Sequence, residues 1–169
     1  LSRLRDRIGV VLQEPFLFSG SLEYNITLGD DGARRRMEEA VSLVGANHFI
    51  ARLPKGFDEE VRERGLNLSV GERQLISFAR AVAFDPEFLV LDEATSSVDT
   101  ASERLIQEGL RGLLAGRTSL VVAHRLSTVR DADRIVVIHK GEKAEEGCHE
   151  ELMAIGGLYY RLYQLQFKD

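Results

Sequence analysis

The sequence predicts an α/β domain with a parallel core sheet, into which a helical subdomain is inserted. Three short apolar runs predict strands: Ile8–Leu12, Phe88–Leu91 and Ser119–Ala123. We expect the second to be buried on both faces and the third to be buried as well. Helical periodicity occupies the stretches between these runs, and strands that alternate with helices favour a parallel arrangement. The interval between the first and second runs is long enough for a helical subdomain, which we place at residues 14–85.

Composition and charge narrow the function classes. A chain of 169 residues with 44% hydrophobic and 29% charged residues has the size and composition of one globular domain. Its net charge of −5 gives no general attraction to nucleic acid or anionic lipid. The single cysteine, Cys148, excludes an internal disulfide and fits a reducing cytosol. No apolar run approaches the roughly 18 residues of a transmembrane helix.

Polar residues follow each of the three predicted strands. Gln13 follows the first, Asp92 and Glu93 follow the second, and His124 follows the third. Ligands of open α/β sheets bind beyond the carboxyl ends of the strands. A carboxylate there can hold Mg²⁺ together with substrate phosphates, a second can orient or deprotonate water, and an imidazole can bond a terminal phosphate. An acid pair or a lone histidine after a strand is more often structural. Here Asp92, Glu93 and His124 would share one edge of the sheet, which favours a catalytic or binding role for them.

The helix before the second strand begins at a capping box. Ser69 and Glu72 have the S-x-x-E spacing, and apolar residues follow at helical intervals. The N–H groups of such a terminus suit a phosphate, and Gly71 would let a ligand approach the backbone closely. Because every well-made helix has a cap, the spacing alone favours a structural role.

The other segments predict simple elements. The loop Phe16–Phe18 carries apolar side chains that either plug the core or dock a partner, and the spacing favours core plugs. A short helix is expected over 21–26, and a longer one over 33–52 with a break near Gly45. Residues 134–147 predict a hairpin that turns at Lys140-Gly141, followed by two helices.

Five motifs in this order resemble the ATP-binding cassette (ABC) family over about residues 8–166. They are Gln13, Leu68-Ser69-Val70-Gly71-Glu72 (here called the signature), Phe88 to Glu93, Ser97-Val98-Asp99 and Ala123-His124-Arg125. Within the family the chain resembles the nucleotide-binding domain of a multidrug or lipid exporter. The cues are the segments Gln13–Ser21, Glu63–Gly65 and His124–Thr128.

The resemblance implies a P-loop NTPase-like sheet and an ATPase that uses ATP and Mg²⁺. Asp92 would hold Mg²⁺ through its waters, and Gln13 would complete that shell. Glu93 would polarise the attacking water, while His124 would contact the γ-phosphate. ATP hydrolysis would power substrate export, and the domain would lie on the cytoplasmic side of the cell membrane as part of the transporter.

The resemblance also implies two protein partners. A second nucleotide-binding domain would pair head to tail with this one. Ser69 and Gly71, with Glu72 beside them, would bind the nucleotide held by that partner, and Asp99 would lie in the loop that crosses to it. The region Glu14–Ile26 would dock onto the transmembrane domain of the exporter.

Two departures from the family pattern lie in the signature, where Val70 replaces the usual Gly and Glu72 the usual Gln. A third is that the sequence contains no G-x-x-x-x-G-K-[ST] loop. We therefore expect a chain cut from a longer one, with an incomplete sheet that lacks its first strands and the phosphate loop. We also expect this fragment by itself to hydrolyse no ATP, whereas the complete protein does. In this scheme residues 1–13 and 86–169 form the core, and 14–85 form the helical subdomain.

Two alternatives remain. The departures at Val70 and Glu72 and the missing phosphate loop also suit a degenerate, non-hydrolysing regulatory cassette. A soluble ABC-type ATPase that acts on nucleic acid or ribosomes is a further alternative, against which the exporter-like segment after Gln13 and the acidic balance argue.

Overall fold

A computed structural model describes residues 7–92, 100–123 and 126–166 of the chain. The chain divides into two compact units, residues 1–122 and 123–169. Among the described residues, none of the helices has both the length and the apolar character needed to cross a bilayer.

The first unit contains a parallel sheet and the helices around it. Its elements in chain order are β1 (Ile8–Val11), β2 (Gly20–Ser21), α1 (Leu22–Thr27), α2 (Asp31–Leu43), α3 (Asn47–Ile50), β3 (Glu60–Val61), α4 (Val70–Ala83), β4 (Phe88–Asp92), α5 (Thr100–Leu114) and β5 (Thr118–Val122). Short 3₁₀ turns lie at Gly56–Asp58 and Glu63–Gly65.

The three apolar runs form the predicted parallel sheet, in the order β1-β4-β5. Val11 pairs with Leu91, which pairs with Val121, and this row packs into the same core as α4 and α5. Because side chains alternate along a strand, the neighbouring row of Val10, Val90 and Leu120 faces the other way. The strand and parallel-sheet predictions are therefore confirmed.

The predictions that β4 is buried on both faces and that β5 is a buried strand are wrong for the described structure. Leu89 and Leu91 are buried, but the Phe88 side chain is 46% exposed and the Leu120 side chain is 65% exposed. The physical reason is one-sided packing, since the described helices of this unit cover only the face that carries Leu89 and Leu91.

Helical periodicity correctly locates the helices between β1 and β4. The predicted helix over 33–52 appears as α2 and α3, separated near Gly45, whose φ is +73°. Two glycines let helix α5 pack closely, Gly112 against the end of α2 and Gly109 against α4. A Cβ at Gly112 would lie 2.0 Å from the Leu43 carbonyl oxygen, and one at Gly109 would lie 2.5 Å from Leu75 Cδ2.

The second unit consists of α6 (Leu126–Arg130), β6 (Ile135–His139), β7 (Glu142–Gly147), α7 (His149–Ile155) and α8 (Leu158–Gln166). Strands β6 and β7 pair antiparallel, which confirms the predicted hairpin. Both turn residues have positive φ, 51° at Lys140 and 82° at Gly141, as tight hairpin turns require. Ile135, Leu152 and Tyr159 are buried together in its core.

Candidate functional site

Gln13 and Asp92 lie beyond neighbouring strands at one edge of the sheet. The pairing of Val11 with Leu91 brings β1 and β4 to this edge in register. Asp92 is the last residue of β4, Gln13 follows β1 by two residues, and both are exposed. A carboxylate oxygen and an amide oxygen at adjacent strand ends are hard donors of the kind that Mg²⁺ prefers.

Three predicted site residues lie outside the described structure: Glu93, Asp99 and His124. In the chain, Glu93 comes directly after β4, Asp99 directly before α5, and His124 shortly after β5. Their predicted roles therefore stay predictions. Within the described ranges, no group of three or more His, Cys, Asp or Glu side chains is placed to hold a metal ion. A metal at this edge would depend on substrate phosphates for its remaining ligands, as Mg²⁺ in nucleotide sites does.

The signature forms the predicted capping box. The Ser69 hydroxyl oxygen accepts a hydrogen bond from the Glu72 N–H at 3.2 Å, and the Glu72 carboxylate accepts one from the Ser69 N–H at 2.8 Å. The Glu72 side chain is thus turned back to the helix cap. Val70 is 43% exposed at the first position of α4, so its branched side chain points to solvent.

Gly71 has a packing role that the sequence did not suggest. It is buried, and a Cβ added there would lie 3.3 Å from the Ser102 Cβ. The first turn of α4 therefore packs directly on the first turn of α5. The predicted close approach of a ligand at Gly71 stays a prediction.

The interpretation of the Phe16–Phe18 loop as core plugs is wrong for both phenylalanines. Leu17 is the buried side chain at 1% exposure, whereas Phe16 is 56% and Phe18 41% exposed. Their rings contact edge to face with centroids 4.9 Å apart, and Tyr24 lies 6.2 Å from Phe18. Of the three side chains, only Leu17 packs into the core of the unit. We call residues 14–26 the aromatic segment.

Asn25 holds the aromatic segment together from inside, a role that no sequence pattern indicated. Its fully buried side chain accepts a hydrogen bond from the Phe18 N–H at 2.8 Å. Its amide nitrogen donates to the carbonyl oxygens of Phe18 at 2.9 Å and Ser21 at 3.0 Å. Ser21, as the N-cap of α1, accepts a hydrogen bond from the Tyr24 N–H.

Arg80 on α4 reaches the same segment and was also missed. Its Nε donates to the Asn25 carbonyl oxygen at 2.7 Å, and its Nη1 donates to the Phe16 carbonyl oxygen at 3.0 Å. Burial lowers the pKa of its guanidinium from the ordinary arginine value. The only sequence signal is an arginine between two alanines on a largely buried helix.

Comparison with known proteins identifies related sequences and structures. The sequence model of the family described as "ABC transporter" matches residues 1–96. A probable multidrug resistance ABC transporter ATP-binding/permease protein of Bacillus subtilis is 53% identical over 96% of this chain and 24% of that protein. An ATP-dependent lipid A-core flippase of Syntrophus aciditrophicus is 51% identical over the whole chain and 28% of that protein.

A solved structure shares the fold. The structure of a bacterial Atm1-family ABC exporter with ATP bound superposes with a TM-score of 0.85 and 42% identity, over 98% of this chain and 29% of that one. The chain thus spans about a quarter of the length of the relatives it matches.

Proposed function

The chain belongs to the ABC transporter family, and from that premise we propose that it forms part of the nucleotide-binding domain of an exporter, where ATP binding and hydrolysis power substrate export. The observation that carries the proposal is the placement of Gln13 and Asp92 at adjacent carboxyl ends of a parallel sheet. The similarity to exporter ATP-binding proteins over nearly the whole chain supports the same class. ATP is the nucleotide that this family uses.

We propose that Asp92 and Gln13 hold Mg²⁺ at this edge, with nucleotide phosphates completing its shell. Their oxygen donors fit a small hard cation, which when bound neutralises charge on the phosphates. Asp92 would supply the carboxylate and Gln13 the amide oxygen.

Glu93 and His124 complete the proposed hydrolytic site. Glu93 would orient the attacking water and accept its proton as the water oxygen bonds to the γ-phosphorus and the bond to ADP breaks. His124 would donate a hydrogen bond to a γ-phosphate oxygen. Both assignments rest on the matching motifs, since neither side chain is among those described.

The signature would bind the nucleotide of a second cassette in a head-to-tail dimer. Ser69 is exposed at the N-terminus of a helix of 14 residues, whose positive dipole end attracts phosphate oxygens. Gly71 would keep the backbone close to this ligand, with Glu72 beside it. Asp99 would lie in the loop that crosses to the second cassette.

The aromatic segment, Glu14–Ile26, would dock the transmembrane domain at the cytoplasmic side of the membrane. Two phenylalanines and a tyrosine exposed side by side suit a protein interface better than solvent. The buried Leu17 and Asn25 hold these rings in place, so the surface is preformed.

Glu93→Gln in the full-length gene product tests the hydrolytic assignment. We expect steady-state ATP hydrolysis, measured as phosphate release, to fall by at least about 100-fold because the general base is lost. Bound ATP should persist in a dimer that chromatography can isolate. Glu108→Gln is the matched control, since Glu108 is exposed on α5 in an ion pair with Arg104. Undiminished hydrolysis by Glu93→Gln would exclude the assignment.

The same assay distinguishes this function from a second candidate, a regulatory cassette that binds ATP without hydrolysing it. The departures at Val70 and Glu72 favour it. A wild-type full-length protein that binds ATP stoichiometrically and releases no phosphate would support this candidate and overturn the first.

A further inference from the structure

We propose that Arg80 is a positioning residue, which fastens the aromatic segment to the signature helix α4 so that the two move as one body. The inference rests on the proposed function, in which the signature contacts nucleotide and the aromatic segment contacts the transmembrane domain. It assigns to one arginine the polar connection between these two contacts, which acts beside the apolar packing of Leu22 and Ile26 in the same core as α4.

The Arg80 guanidinium contacts the aromatic segment near both of its ends. Nε and Nη1 donate to the carbonyl oxygens of Asn25 and Phe16, and Nη2 lies 3.5 Å from the Asn25 side-chain oxygen. These contacts join residues 55 and 64 positions apart in the chain. A planar fork can serve two carbonyls in fixed directions, whereas a lysine ammonium offers one point charge.

The Arg80 cation is neutralised by no carboxylate among the described residues of the unit. Across residues 7–92 and 100–122, no carboxylate lies within ion-pair distance of it. Desolvating a cation without a carboxylate partner is costly, and here carbonyl dipoles offset that cost. The Phe18 ring adds a weak cation–π contact, with its centroid 6.0 Å from the guanidinium carbon.

The contacts form a continuous path from the signature to the exposed rings. Ser69 caps the helix that carries Arg80, and the two lie about 16.5 Å apart along its axis at about 1.5 Å per residue. Arg80 fixes the backbone of Phe16 and Asn25, and the Asn25 side chain fixes both backbone polar groups of Phe18. A displacement of α4 at the signature is therefore imposed on Phe16 and Phe18.

Hydrogen exchange of the full-length protein tests the connection without knowledge of the transported substrate. Peptides covering 66–75 and 14–26 are compared with and without ATP, Mg²⁺ and vanadate. In the wild type we expect both peptides to gain protection together. In Arg80→Lys, peptide 66–75 should keep its gain, while exchange of peptide 14–26 in the trapped state should be about tenfold faster than in the wild type.

Arg36→Lys is the matched control. Arg36 Nε donates to the Ala83 carbonyl oxygen of α4 at 2.8 Å but has no hydrogen bond to the described aromatic segment. It should weaken the packing of α4 and leave both protection gains intact. Arg80→Gln, whose amide can reach only one of the two carbonyls, serves as a second variant if Arg80→Lys does not accumulate.

Each outcome decides the matter. If Arg80→Lys keeps both gains, or loses both, Arg80 does not connect the segments. A wild type that protects only 66–75 also overturns the inference. A wild type that shows no protection at 66–75 refutes the proposed function itself, and the inference falls with it.

Discussion

Asn25→Ala should destabilise the first unit, because it removes three hydrogen bonds that join the aromatic segment. The lost contacts are those with the Phe18 N–H at 2.8 Å, the Phe18 carbonyl at 2.9 Å and the Ser21 carbonyl at 3.0 Å. At about 1 kcal/mol for each backbone group left without its partner, the loss is about 3 kcal/mol. The better helix propensity of alanine offsets about 0.5 kcal/mol of this loss, so we expect the free energy of unfolding to fall by about 2–3 kcal/mol.

Thermal unfolding followed by circular dichroism measures this effect. For a chain of this size, 1 kcal/mol corresponds to about 2–4 °C, so the expected fall in Tm is about 4–12 °C. Asn47→Ala is the control, because Asn47 is exposed at the first residue of α3 and should change stability by less than about 0.5 kcal/mol. Equal shifts for the two variants would refute the argument that Asn25 organises the segment.

Three further predictions concern packing and capping. In urea denaturation, Glu72→Gln should stay within about 0.5 kcal/mol of the wild type, since an amide oxygen still accepts the Ser69 N–H, whereas Ser69→Ala should lose about 1 kcal/mol. Equal losses would contradict the capping assignment. Gly112→Ala should lose about 3 kcal/mol in the same assay, because its Cβ would overlap the Leu43 carbonyl oxygen. A loss below 0.5 kcal/mol would show that the helices separate freely. Glu145 caps the N-terminus of α8, where its carboxylate accepts a hydrogen bond from the Tyr159 N–H. Glu145→Gln should therefore lose about 0.5–1 kcal/mol of stability at low salt and less at high salt. An effect independent of salt would exclude the charge–dipole contribution.

Elements that depend on local rules were predictable from the sequence. The hairpin follows from a turn that needs positive φ at Lys140-Gly141, and the capping box follows from the spacing of Ser69 and Glu72. The parallel sheet follows from apolar runs that alternate with helical patterns. In each case the few residues that determine the element lie within it.

Burial of a particular side chain was less predictable, because it depends on what packs against the residue. An apolar run such as Phe88–Leu91 indicates a strand, but its composition does not encode which face the helices of the unit cover. The orientation of Phe16 and Phe18 depends on Asn25 and on Arg80, which is 64 residues from Phe16 in the chain. No periodicity connects residues so far apart, so the sequence pattern does not indicate the roles of these two side chains.

The capping geometry bears on whether the unusual signature is degenerate. A glutamate beside a triphosphate would repel it if its carboxylate faced the ligand, but this carboxylate is bound to the Ser69 N–H at 2.8 Å. The capping box satisfies the N–H groups of Ser69 and Glu72. The N–H groups of Val70 and Gly71 have no acceptor within the helix, and they lie at the positive end of α4. The Val70 side chain points to solvent. On these physical grounds the two substitutions are compatible with phosphate binding, and they give the non-hydrolysing alternative less support than the sequence pattern suggested.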